Sequence, residues 1–256
     1  MSRHIVLIHG AWQGSWAFSA WRPLLQGSGW IVHNVDLPGN GWGPTAEDVA
    51  TPESYYQHVC ALIDSIDEPV VLLGHSGGGV IASQVAEMVP ERISALVYLV
   101  GMMLPSNMSF ADFVKSCTEE RPELDFSGIN QYLEVDPVDQ STRVPTRAAL
   151  NIFLHDCPPE AAATAASLLR RQPASGRNMP VKLSPQRYGR VPRVYIEATA
   201  DRSIDIYLQR RMQQLSPGAQ IISLNCGHVP QLAQPRALTD ALNNKLHSLL
   251  RLNTGA

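Results

Sequence analysis

Six short runs of aliphatic and β-branched residues constrain the fold of this chain more than any other feature. They lie at 5–9, 31–36, 70–73, 96–100, 193–198 and 220–224, and turns rich in glycine and proline follow them. The runs are apolar on both faces, the pattern of strands covered on both sides, as in a parallel sheet. Helical patterns fall between them at about 15–27, 53–66, 77–89, 205–215 and 233–250. Strand alternating with helix predicts a doubly wound, mostly parallel α/β sheet of about six strands with helices on both faces. A chain of 256 residues is long enough to bury such a core in one large domain.

One interval breaks the rhythm. Between about 103 and 190 no strand is expected, only helical pieces interrupted by proline, such as 110–119 and 159–171. An insertion of this length between two core strands reads as a helical cap over the carboxyl edge of the sheet, where open α/β sheets bind ligands. The expected division is therefore a core of 1–102 and 190–256 with a cap of 103–189.

Composition narrows the function classes. A hydrophobic fraction of 45% with 17% charged residues fits an ordinary globular protein. The net charge is −3 and no basic block stands out, so neither nucleic acid nor a membrane surface is expected as a partner. No stretch reaches the roughly 20 apolar residues of a membrane span. The opening MSRHIVLIHG enters a strand-like run at once and lacks the pattern of a signal peptide. The expectation is a soluble, cytoplasmic chain. Cys60, Cys117, Cys157 and Cys226 show no CxxC spacing and are expected as reduced, mostly buried thiols. The eight histidines are scattered without metal-ligand spacing, so no metal and no organic cofactor are expected.

The chemistry concentrates in Val70-Val71-Leu72-Leu73-Gly74-His75-Ser76-Gly77-Gly78. An apolar strand runs into a Gly-x-Ser-x-Gly turn and a helix follows immediately. That context makes Ser76 the candidate nucleophile, raised on a tight turn that side chains at 74 and 78 would obstruct. The helix start also offers free N–H groups and its positive dipole end to a developing oxyanion. A dinucleotide-binding turn would share the glycines, but it needs an acid at the end of the next strand, where Val100-Gly101-Met102-Met103 stands.

Together, HGAWQGSW at 9–16, DLPGNG at 36–41, GHSGGG at 74–79 and VPRVYIEATADRSI with its later Gly-His resemble the small α/β-hydrolases. The branch they are similar to holds plant methylesterases, plant hydroxynitrile lyases and bacterial esterases, pyrethroid-type hydrolases included. The resemblance spans the core on both sides of the cap. It implies the chain order nucleophile, acid, histidine. His228, in Asn225-Cys226-Gly227-His228 after the last strand, is then the general base. Two acids follow the penultimate strand, Asp201 and Asp205. Asp201 lies in the turn and is the expected orienting acid, while Asp205 stands where a helix begins and is explained as its cap. The backbone amides of Ala11 and Gly77 are the implied oxyanion donors. His9 and Asp36 are expected to order loops, and Trp16 and Trp21 to pack the core.

Departures from the branch choose among its activities. Hydroxynitrile lyases of this type carry threonine and lysine where this chain has Gly10 and Val229, so ester hydrolysis is favoured. The expected function is hydrolysis of a small or medium hydrophobic carboxylic ester through an acyl-serine intermediate. A lactonase or carbon–carbon hydrolase with the same residues, or a ligand receptor with slow turnover, are the alternatives. Trp12, Met102, Met103, Phe110, Phe113, Phe153 and Leu154 are the candidates for the substrate pocket. A homodimer enters as an option from the resemblance alone.

Overall fold

The computed structural model describes residues 3–46, 48–177 and 179–254. Its first four main strands are β1 (His4–Ile8), β2 (Ile31–Asn34), β3 (Val70–His75) and β4 (Ile93–Leu99). A small antiparallel pair follows, β5 (Glu134–Val135) and β6 (Thr142–Arg143). Then come β7 (Arg193–Ala198) and β8 (Ala219–Leu224), which complete a six-stranded parallel sheet of order β2-β1-β3-β4-β7-β8.

Alternation along each central strand feeds two cores. Val6, Leu72, Leu96, Tyr98 and Tyr195 point to one face, under α2 (Pro52–Asp64), α3 (Gly78–Met88) and α7 (Ile206–Leu215). Leu7, Val71, Leu73, Val97 and Ile196 point to the other, under α1 (Arg22–Gly27) and α9 (Pro235–Thr254). Trp21 is fully buried on that side, and its indole N–H donates to Thr239. The expectation of strands apolar on both faces holds for the central four. It fails for β2 and β8, where Ile31 is 49% and Ile221 38% exposed, because edge strands have fewer helices over them.

Prolines decide where the structure departs from the expected helices. The pattern at 15–27 splits into a 3₁₀ turn, Ser15–Phe18, and α1, whose second residue is Pro23. The terminal helix splits into α8 (Pro230–Ala233) and α9. Pro235 lacks an N–H, and Gln234 before it takes a non-helical φ of −139°.

The interval 103–189 carries α4 (Phe110–Glu120), α5 (Thr146–Ala148) running into a π-helical turn at Ala149–Phe153, and α6 (Pro159–Leu168). The β5–β6 pair corrects the expectation of no strand here; two residues a side, of which only Thr142 is buried, are too few to show an alternation. α6 stops at Leu168 rather than continuing to 171, and the Arg170 N–H then donates to the Trp12 carbonyl. The segment has its own apolar cluster, in which Phe153, Leu154, Ala162 and Ala166 pack with Trp12 and Val229. Among the described residues no helix is long and apolar enough to cross a membrane.

Candidate active site

Ser76 follows β3 directly and takes a left-handed φ of 51°. The turn is tight enough that a Cβ on Gly74 would lie 2.5 Å from the Gly78 carbonyl oxygen, and one on Gly78 would lie 2.6 Å from that of Ile8. Only glycine fits at either place. The Ser76 N–H donates to the Leu99 carbonyl and its own carbonyl accepts from Met102, so the end of β4 fixes the turn.

The His228 ring lies between two partners. Its Nδ1 is 2.8 Å from Asp201 Oδ2 and its Nε2 is 3.1 Å from Ser76 Oγ. With Asp201 accepting from Nδ1–H, Nε2 is left to accept the hydroxyl proton. Asp201 Oδ1 accepts from the amides of Ser203 and Ile204, which fixes the carboxylate against rotation. Both residues are buried, Asp201 at 6% exposure and His228 at 2%. Asp205, the other candidate acid, caps α7 by accepting from the Tyr207 N–H.

Two further histidines support the site from below. His9 Nδ1–H donates to the Gly10 carbonyl, and its Nε2 accepts from the Leu37 N–H. Burial pushes its pKa down to about 4, so the ring is neutral. His75 Nε2 lies 2.9 Å from the His228 carbonyl, which can only accept, and burial pushes this pKa down to about 3. Asp36 accepts from the N–H and hydroxyl of Ser15, an ordering contact in the neighbouring loop.

Ala11 and Gly77 face each other across the mouth of the turn: a Cβ on Gly77 would meet only the Ala11 nitrogen, at 3.8 Å. Among the described residues neither amide donates to a protein acceptor. Trp12, next in the chain, has a φ of 62° and is tied on three sides. Its N–H donates to Gln172, its indole to Thr142, and its carbonyl accepts from Arg170.

The cavity above Ser76 is lined by Trp12, Met102, Phe110 and Phe153 of the expected set. Phe153 stacks on the His228 ring at 5.0 Å between centroids. Met103, Phe113 and Leu154 are corrected: all three are buried and absent from the lining, Met103 and Phe113 in the main core and Leu154 in the insertion's cluster. Sequence reasoning missed Asn40, Tyr55, Ile129, Gln172, Arg177 and Ile204, which also line it. Gln172 joins three of these walls, accepting from Trp12 and Asn40 and donating to Tyr55. The four cysteines are free, Cys117 and Cys226 buried and the other two half-buried. Burial pushes the Cys157 and Cys226 thiols up to about 12, which keeps both protonated near neutral pH. No cluster that could hold a metal occurs among the described residues.

Comparison with known proteins places this geometry. The model of the Alpha/beta hydrolase family matches residues 5–241. Methylesterase 9 of Arabidopsis thaliana is 31% identical over 250 residues, covering 94% of this chain and 96% of the relative. Polyneuridine aldehyde esterase of Rauvolfia serpentina is 31% identical over 250 residues, with 94% of each chain covered. The crystal structure of a pyrethroid hydrolase from Sphingobium faniae superposes with a TM-score of 0.84 at 26% identity, covering 97% of this chain and 98% of that one.

Proposed function

This chain belongs to the alpha/beta hydrolase family and is a carboxylesterase-type hydrolase, and we propose that it cleaves a small or medium hydrophobic ester with Ser76, His228 and Asp201 as its catalytic residues. The observation that carries the assignment of roles is the unbroken line Asp201–His228–Ser76, at 2.8 and 3.1 Å. His228 takes the Ser76 proton as Oγ attacks the ester carbonyl, and Asp201 holds the tautomer that makes this possible. The Ala11 and Gly77 amides bind the tetrahedral oxyanion. His228 then returns the proton to the leaving alcohol, and water, activated by the same ring, releases the acid from acyl-Ser76.

Residues 103–189 act as the cap. They contribute Phe110, Ile129, Phe153 and Arg177 to the cavity, so substrate choice is assigned chiefly to them. The partner is accordingly a small-molecule ester. A cytoplasmic location and a homodimer belong to the same proposal, tested by fractionation and by sedimentation respectively.

Hydrolysis of a p-nitrophenyl ester series by the wild type and by Ser76→Ala tests the reading. Sustained release over many turnovers, lost in the variant, is expected. A single burst would instead indicate an acyl trap or a receptor, and activity surviving without Ser76 would refute the assigned nucleophile.

A further inference from the structure

Arg177 stands out among the residues around Ser76. Among the described residues it is the one arginine or lysine in the cavity lining, and no aspartate or glutamate lines that cavity with it. Its guanidinium carbon lies 4.9 Å over the Trp12 ring, and Nη2 donates to the neutral Oδ1 of Asn130 at 2.9 Å. No ion pair involves it among the described residues, whereas Arg171, Arg210 and Arg211 each meet a carboxylate. A guanidinium has five N–H donors in a planar fork. The contacts to Asn130 and Trp12 occupy one nitrogen and one face, leaving capacity for a planar, two-oxygen acceptor.

The position connects to the reacting atoms through a row of aromatic rings, one pair stacked and the next tilted. His228 meets Phe153 at 5.0 Å, Phe153 meets Trp12 at 6.0 Å, and Trp12 carries Arg177. Phe110, Asn130 and Arg177 also line an open groove beside the cavity, together with Lys115 and, among the described residues, again without an acid. In a chain of net charge −3, the charged side chains lining this approach are cationic among the described residues. Burial lowers the Arg177 pKa, the mark of a cation partly removed from water and lacking a counter-charge.

We propose that the preferred substrate is an ester that also carries a carboxylate, held by Arg177 while the ester carbonyl sits at Ser76. The carboxylate supplies the missing counter-charge, and the aromatic wall of Trp12 and Phe153 takes the apolar stretch between the two groups. This rests on the ester-hydrolase reading above and adds the chemical class of its substrate.

The test compares monomethyl with dimethyl esters of the straight-chain dicarboxylic acids from glutarate to suberate, following methanol release by the wild type, Arg177→Gln and Arg177→Lys. The wild type is expected to favour at least one monomethyl ester by about tenfold or more in kcat/KM, the scale of a charge-assisted pair. That ratio should collapse toward unity in Arg177→Gln and recover in part in Arg177→Lys. A second measurement does not need turnover: calorimetric binding of the monomethyl esters to Ser76→Ala, with and without Arg177→Gln, should weaken about tenfold when the arginine is lost. Equal ratios in wild type and Arg177→Gln, or equal affinities with and without the arginine, overturn the proposal while leaving ester hydrolysis standing. Arg177-dependent binding with no methanol released from any ester has the opposite meaning: the carboxylate subsite holds and the ester reading falls.

Discussion

Asp156 accepts the backbone N–H of Gly227, so a side chain of the inserted segment holds the residue immediately before His228. The neighbouring His155 reaches the other side of the site, its Nε2 lying 3.1 Å from the Ala200 carbonyl, one residue before Asp201. Two consecutive residues of the inserted segment therefore fasten both loops that carry the proposed acid and base.

Removing that fastening should show in turnover. Asp156→Ala is expected to lower kcat by about tenfold, since small misplacement of a catalytic group is costly. Asp156→Asn keeps an oxygen acceptor for Gly227 and should stay much nearer the wild type. Steady-state kinetics of the two variants checks this, and equal losses in both would mean that the charge, rather than the hydrogen bond to Gly227, is what matters.

Asp201→Asn should fold, because Asn can still accept from Ser203 and Ile204. It can also present its amide to His228 in place of the carboxylate, forcing the wrong tautomer on the ring. The expected kcat loss is about 10³- to 10⁴-fold, by analogy with serine proteases. A thermal melt alongside the kinetics separates this from unfolding.

The three glycines around the nucleophile should respond differently to the same methyl group. Gly74→Ala and Gly78→Ala drive a Cβ into backbone at 2.5 and 2.6 Å, and each should cost about 1–3 kcal/mol or more in stability. Gly77→Ala meets only the Ala11 nitrogen at 3.8 Å and should leave the urea midpoint nearly unchanged. Denaturation curves for the three variants would show the contrast.

Acid should loosen the fold before it protonates most carboxylates. The His9 and His75 pKa values lie near 4 and 3, below the ordinary 6.5, because both rings are buried. Between those values the unfolded chain binds protons that the folded chain does not. Stability from these rings is complete above pH 6.5 and falls with acidification, by up to about 1.4 kcal/mol per pH unit for each. Urea midpoints should therefore decline steadily from pH 7 to 5, and a flat profile would contradict two neutral buried histidines.

The sheet was legible because its central strands carry unbroken apolar runs, and β7 occupies the expected 193–198. Ser76, His228 and Asp201 were locatable because each sits in a short turn directly after a strand, where local sequence and chain order suffice. The structure brings all three together. The pocket was harder to read. Met103 and Phe113 looked like lining residues, yet Met103 lies in irregular chain without periodicity, and in α4 Phe110 and Phe113 share one apolar stripe whose neighbours, cavity or core, the spacing does not reveal. Gln172 and Arg177 lie in irregular chain and reach the cavity only through the fold, Gln172 by bonds to Trp12, Asn40 and Tyr55 and Arg177 by its position over Trp12. No local motif marks such residues.

The most direct test of the central claim is peptide mapping by mass spectrometry after inhibition with a fluorophosphonate. The account predicts one adduct, on Ser76, formed in proportion to lost activity and greatly slowed in His228→Ala. Full inhibition with the adduct on another residue, or full activity with Ser76 modified, would contradict it.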